Sequence, residues 1–266
     1  MEGVWKSWIA DAPTRRQERG KHAWKSLGPF YGALRPDQCS RLVSREYAAR
    51  RMARGISAGT VIRELGMLRA ALQWHDRNTV ADFEMPESPP PRERHLTRAE
   101  YEALVSAADR AHVKLFIVLA LATAGRASAI LDLTWDRVDF DRGLIRLSAG
   151  GPGERTKGRA TVPMTSRARE ALTEAHKRRT CDYVIEWGGA QVASIKKGFA
   201  LTCARAGLKG VTPHVMRHTA AVYLAEAGVP MEQIAAYLGH SDPTTTARVY
   251  ARFSPTFLAS AAAALD

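Results

Sequence analysis

Between Thr212 and Gly228 the sequence reads TPHVMRHTAAVYLAEAG, and three of its side chains do not suit an apolar helix: His214, Arg217 and His218. At 100° per residue they share one helical face about one turn long. Three chemistries are compatible with such a face: a satisfied polar patch in a core, a metal site, or a site for an anion. Histidines at i and i+4 are a zinc spacing, but the glutamate of H-E-x-x-H is missing, since position 215 is Val,. An arginine between the two imidazoles would also repel a dication. A core histidine held by a backbone carbonyl accounts for one histidine, not for His, Arg and His together. The anion reading is therefore favoured and no metal is expected.

Further on, the chain reads YLGHSDPTTTARVYARF, with His240 just past a glycine helix stop and Tyr250 ten residues later. The run Leu238-Gly239-His240-Ser241, the spaced tyrosine and the H-x-x-R-H element together resemble the C-terminal catalytic signature of the tyrosine recombinases, the phage integrase family. The resemblance implies an upstream arginine after a glycine-containing turn, and Arg126 in ATAGRASAILDLTW fits. It also implies a lysine in a β-hairpin turn, which points to Lys157 in RTKGRATVPM, with Arg159 as a competitor. The order Arg, Lys, His-x-x-Arg, His, Tyr is complete. Two positions depart from the pattern: Ala129 stands where many relatives have glutamate, and Ala124 where a glycine is usual, although Gly125 is adjacent.

These residue types suit attack on a phosphodiester. Charge builds on the non-bridging oxygens, so Arg126 and Arg217 would clamp them, with His214 and His240 completing the clamp. A phenol with pKa near 10 is mostly protonated at neutral pH. The two arginines are expected to lower that value, and His214 to accept the Tyr250 proton. Lys157 would protonate the leaving 5′-hydroxyl, and His218 would buttress the site by hydrogen bonding. The arginines supply the positive charge, so no cofactor is expected. Tyr223 and Tyr237 lie in apolar helical patterns and read as core. The resemblance thus implies a DNA-cleaving and rejoining enzyme acting through a 3′-phosphotyrosine, with phage or prophage integration and excision as its setting. A resolution-type recombinase, a type IB-like topoisomerase and a non-catalytic DNA-binding protein are the alternatives, and a metalloenzyme built on His214, His218 and His240 is a further one.

The elements that must position these residues can be read along all 266 residues. Lys+Arg 39 against Asp+Glu 27 gives a net charge of +12, which suggests a polyanionic partner,. No basic n-region and apolar run opens the chain, and the longest apolar stretch, at 113–125, is too short to span a bilayer,. Three cysteines with no C-x-x-C pair read as reduced thiols,. A cytoplasmic, nucleoid-associated protein without membrane contact is expected. A proline-rich linker at 85–94 separates a helical domain, residues 1–84, from a second domain, 95–266.

In the first domain, Leu42, Tyr47 and Met52 are set among Arg41, Arg45, Arg50, Arg51 and Arg54. A following helix carries Val61, Leu65, Leu68 and Leu72 at helical spacing, with Arg63 and Arg69 elsewhere on the cylinder,. This arginine-rich surface is expected to contact the backbone of double-stranded DNA, as is Arg159. The second domain opens with a Thr97–Glu100 capping box. Two short strands, LIRLS and ATVPM, follow, with a third possible around Glu154–Thr156, and then a series of helices stopped by Gly207, Gly228 and Gly239,. The fold class is mainly α with a small β-sheet (α+β). By resemblance, four copies would assemble on two DNA sites, and the apolar tail SPTFLASAAAALD would pack on a neighbouring copy. No separate arm-binding domain is expected ahead of the first helices.

Overall fold

The computed structural model describes residues 1–77, 83–88, 93–148, 160–259, 262 and 265. The chain divides into two compact units, Met1–Arg92 and Glu93–Asp266.

The first unit contains four helices among its described residues: α1 (Glu2–Ala10), α2 (Thr14–Tyr31), α3 (Arg41–Ala53) and α4 (Ala58–His75). Val61, Leu65, Leu68 and Leu72 recur at helical spacing along α4, and all four are fully buried. They meet Trp5, Trp8, Leu27, Tyr31 and Tyr47 in one core. Helix α3 turns its three large apolar side chains in different directions. Tyr47 is buried, but Leu42 and Met52 are exposed. The reason is angular: steps of five residues rotate each side chain by about 140° around a helix, so the three cannot share a face.

The second unit begins with α5 (Arg98–Ser106), whose capping box is formed as the sequence indicates. The Glu100 amide donates to Thr97 Oγ1 at 3.2 Å, and the Thr97 amide donates to the Glu100 carboxylate at 2.8 Å. Helix α6 (Ala111–Thr123) is buried nearly all round and packs on α8 (Ser166–Lys177) and α10 (Pro213–Glu226),. The short α7 (Ala127–Leu131) follows it. Three antiparallel strands, β1 (Val138–Asp139), β2 (Leu144–Arg146) and β3 (Thr161–Pro163), run in the order β1-β2-β3. Val138 pairs with Ile145 and Ile145 with Val162, placing three apolar residues on the core face. Strands β2 and β3 correspond to LIRLS and ATVPM, β1 was not anticipated, and the segment around Glu154–Thr156 lies outside the described residues. A further hairpin, β4 (Glu186–Trp187) with β5 (Ala190–Gln191), turns through Gly188 and Gly189, both at positive φ,. The remaining helices are α9 (Lys196–Arg205), α11 (Met231–Leu238) and α12 (Pro243–Tyr250). Mainly helical with small antiparallel sheets, the architecture matches the expected fold class.

Candidate active site

Helix α10 is the axis of the site. Thr212 caps it and Pro213 occupies N1, a position where a missing amide costs nothing, so His214 falls in the exposed first turn,. One turn further the side chains plunge inward: Arg217 and His218 are buried, at 5% and 9% exposure. Anions are stabilised at such an N-terminus by its orphan amides and dipole.

Arg217 is held by backbone. One terminal nitrogen donates to the Ala124 carbonyl at 2.9 Å, and the other donates to the Leu238 carbonyl at 2.7 Å. The latter nitrogen also lies 3.0 Å from His240 Nε2. Burial, reinforced by the nearby charge of Arg126, pulls its pKa down to about 10, so the guanidinium stays charged at neutral pH. The loop that ends α6 supplies one of these carbonyls. Ala124 adopts the left-handed region at φ 47°, where the sequence pattern expects glycine,. Gly125 is there for space: a Cβ would come within 2.9 Å of Leu147 and of Thr123. Arg126 then serves as the N-cap residue of α7, its own side chain exposed.

His240 is delivered by the end of α11. Gly239, at φ 65°, closes the helix, and the His240 amide donates back to the Ala235 carbonyl at 2.9 Å,. Its Nδ1 sits 2.8 Å from Oγ1 of fully buried Thr246 on α12. An arginine can only donate, so Nε2 accepts from Arg217 and Nδ1 carries the proton toward Thr246. Burial, then Arg217, then Arg126, lower the His240 pKa, which keeps the ring neutral.

Tyr250 ends α12 and is buried at 8% exposure. Its hydroxyl lies 3.2 Å from Nδ1 of His218. The sequence reading gave the tyrosine proton to His214 and a lowered phenol pKa. Instead, burial raises the Tyr250 pKa and Arg217 only partly opposes it, and the His218 imidazole lies in hydrogen-bond range. Tyr223 and Tyr237 are held elsewhere: Arg98 stacks over the first ring, and the Tyr237 hydroxyl donates to the Ala122 carbonyl at 2.5 Å. Lys157 and Arg159 lie outside the described residues.

Arg126, Arg217, His240 and Tyr250 thus converge: the charge of Arg126 is felt at both Arg217 and His240, and that of Arg217 at Tyr250. Among the described residues no group of three His, Cys, Asp or Glu side chains is placed to hold a metal. Sequence reasoning missed Thr246, whose signal was no more than the T-T-T run in the first turn of α12.

The arginines of the first unit divide by environment. Arg41 and Arg45 both grip Glu84, at 3.0 and 2.6 Å, and hold its carboxyl down at about 2. Arg50 pairs with Glu46 and covers the Phe30 ring. Arg51 forms a largely buried two-pronged pair with Glu64, which also accepts from the Tyr47 hydroxyl at 2.7 Å. Arg54, Arg63 and Arg69 are exposed.

With this geometry in hand, comparison with known proteins is decisive. The profile described as "Phage integrase family" matches residues 94–256. The chain belongs to the phage integrase family. Among curated relatives in the family, the tyrosine recombinase XerA of Thermococcus kodakarensis is 31% identical over 202 residues, covering 69% of either chain. An integrase of Streptomyces ambofaciens is 27% identical over 207 residues, 65% of this chain but only 53% of that protein, so this chain spans about half of that relative's length. In fold, the chain matches the Tn1549 transposon integrase (residues 82–397), solved in complex with circular intermediate DNA, with a TM-score of 0.84 at 20% identity over 99% of both chains. Among the described residues, no helix is long and apolar enough to cross a membrane.

Proposed function

We propose that this family member is a site-specific DNA recombinase that cuts and rejoins duplex DNA through a 3′-phosphotyrosine on Tyr250. One observation carries the reading: a buried tyrosine on α12 stands beside a guanidinium, Arg217, whose charge is fixed by two backbone carbonyls and shared with His240. Guanidinium and imidazole donors fixed before substrate arrives stabilise the charge of a pentavalent phosphoryl centre without reorganising. Arg126 and Arg217 would grip the non-bridging oxygens, and His214 would complete the clamp. His240 would hold Arg217 in place and join the clamp once its Nε2 takes up a proton, and Lys157 would protonate the departing 5′-oxygen. The bond energy is kept in the phosphotyrosine, so a 5′-hydroxyl from another duplex reseals the strand without ATP.

Exchange between two duplexes breaks four strands, and each chain carries one Tyr250, so four copies act together on two sites. The exposed Arg54, Arg63 and Arg69 are the first unit's contacts to the DNA backbone, joined by Arg41, Arg45 and Arg50 where their carboxylates release them. Integration or excision of phage or prophage DNA, inside the cytoplasm and at the nucleoid, is the setting we favour. The test is covalent capture on a nicked suicide substrate. Wild-type protein forms a protein–DNA adduct, and Tyr250→Phe binds the same DNA but forms none. An adduct that survives in Tyr250→Phe removes the assignment.

A further inference from the structure

His218 stands in contact with the nucleophile, yet the mechanism above leaves it without a task. Its Nδ1 is 3.2 Å from the Tyr250 hydroxyl, and the two rings are 5.2 Å apart. Its other nitrogen, Nε2, is buried and makes no close hydrogen bond, and the Glu93 backbone lies near enough to favour a proton on the ring. If the phenol donates to Nδ1, Nε2 carries the ring's hydrogen and the imidazole is neutral, with its basic lone pair aimed at the tyrosine proton.

What surrounds His218 is equally specific. The segment that leads into α5 folds back over it. His95 lies 6.2 Å from the His218 ring, edge to face, and 5.5 Å from Phe253, which itself flanks His218 at 6.5 Å. This segment is fastened at three points. The Leu96 amide donates to Thr219 Oγ1 at 2.9 Å, one residue beyond His218 on α10. Arg94 pairs with Glu100 at 2.6 Å. Glu93 pairs at 2.7 Å with Arg252, two residues past the nucleophile. His95 is thus placed by bonds that also secure both neighbours of the tyrosine–histidine pair.

We propose that His218 is the acceptor of the Tyr250 proton and that His95 is the positioning residue that orients it. In the forward step the Tyr250 O–H bond breaks and an N–H bond forms at His218 Nδ1. The phenolate oxygen bonds to phosphorus, the P–O5′ bond breaks, and the 5′-oxygen departs with a proton from the donor assigned above. In rejoining, an incoming 5′-hydroxyl gives its proton to the now neutral donor and bonds to phosphorus, while the phosphotyrosine bond breaks and His218 returns its proton to the tyrosine oxygen. The proposal rests on the recombinase reading.

The charged and titratable groups facing His218 are Tyr250 from α12, His95 and Glu93 from the lead-in segment, Arg252 from the turn after Tyr250, and His214 from its own helix. Burial, then His95, then His214, push its pKa below the ordinary histidine value. The imidazolium is therefore disfavoured in the protein by itself, and it gains a counter-charge when a phosphate is seated between it and the arginines. The base is armed by its substrate.

The experiment is single-turnover adduct formation on the nicked substrate at saturating DNA, read against pH. His218→Asn keeps a hydrogen-bonding group near the phenol but has no basic nitrogen; its rate should fall by about 100-fold or more, with DNA affinity unchanged. Added imidazole should restore part of the rate to His218→Ala. His95→Phe keeps a ring in place and removes a charge that depresses His218; it should slow the reaction and move the acid limb of the pH profile to higher pH. Melting curves and DNA affinity verify folding. Should His218→Ala not fold, His218→Asn and the His95→Phe profile carry the test. A His218→Asn rate within threefold of wild type overturns the proposal, and an acid limb unmoved in His95→Phe overturns the part given to His95. Wild-type protein that forms no adduct refutes the recombinase reading itself, a distinguishable failure.

Discussion

Arg51 separates arginines that hold the first unit together from arginines that can hold DNA. Its guanidinium makes two bonds to the Glu64 carboxylate, at 3.1 and 2.6 Å, and the side chains are only 17% and 9% exposed. Arg51→Ala strands that carboxylate in the core with only the Tyr47 hydroxyl for a partner among the described residues. Removing one member of a buried pair costs about 3–5 kcal/mol. In a unit of this size each kcal/mol is about 4–8 °C in Tm, so the first unit should melt at least ~12 °C lower. Arg54→Ala, an exposed change one turn away, should alter stability by no more than about 0.5 kcal/mol. The two variants should exchange roles in DNA binding. Arg54→Ala should reduce the salt dependence of binding by about one counterion, whereas folded Arg51→Ala should keep the wild-type slope. Urea and thermal unfolding followed by the fluorescence of Trp5, Trp8, Trp24 and Trp74, with a salt titration of binding, measure both. An Arg51→Ala protein melting within a few degrees of wild type would refute the reasoning.

Two further outcomes are expected. Arg94 and the α5 cap hold the Glu100 carboxyl at about 2, below its ordinary 4.5. The folded state thus favours the ionised form, so this contribution is complete above pH 4.5 and is lost as pH falls toward 2,. Glu100→Gln keeps the cap but not the charge. It should melt below wild type at pH 7 by an amount equivalent to about 0.5–1 kcal/mol, the scale of a partly exposed pair, and the gap should close in acid. Thr246→Val preserves shape but removes the bond to His240 Nδ1. It should slow adduct formation on the order of tenfold, from the loss of one hydrogen bond of about 1 kcal/mol or slightly more, with DNA affinity retained; an unchanged rate would show that His240 is oriented without it.

Local signals were legible in the sequence wherever their cause is local. The spacing of Val61, Leu65, Leu68 and Leu72 forces one buried stripe, Thr97 and Glu100 cap each other three residues apart, and Gly239 stops α11 where only a left-handed residue fits. His240 and Tyr250 were readable because a glycine stop and a short helix fix them. What was not legible depends on distant partners. Arg41 and Arg45 read as surface charges because Glu84, which occupies them, is about forty residues away in sequence. His214 and His218 share a face, and their division of labour is set by α12 and by the segment from Glu93 to Leu96, which bury one and leave the other in the open. The β4–β5 hairpin had a turn signal in Gly188-Gly189, but its two-residue strands are too short for alternation to appear.

Arg217 binds the cap of one helix and the last carbonyl of another, 93 and 21 residues away along the chain. The loop presenting Arg126 and the loop presenting His240 are therefore spliced through the side chain proposed to grip phosphate. A molecule in which either loop has come loose has also lost its grip on the substrate. Half-assembled protein would then be inert instead of cutting strands it cannot rejoin, a built-in protection for an activity whose intermediate is a broken chromosome.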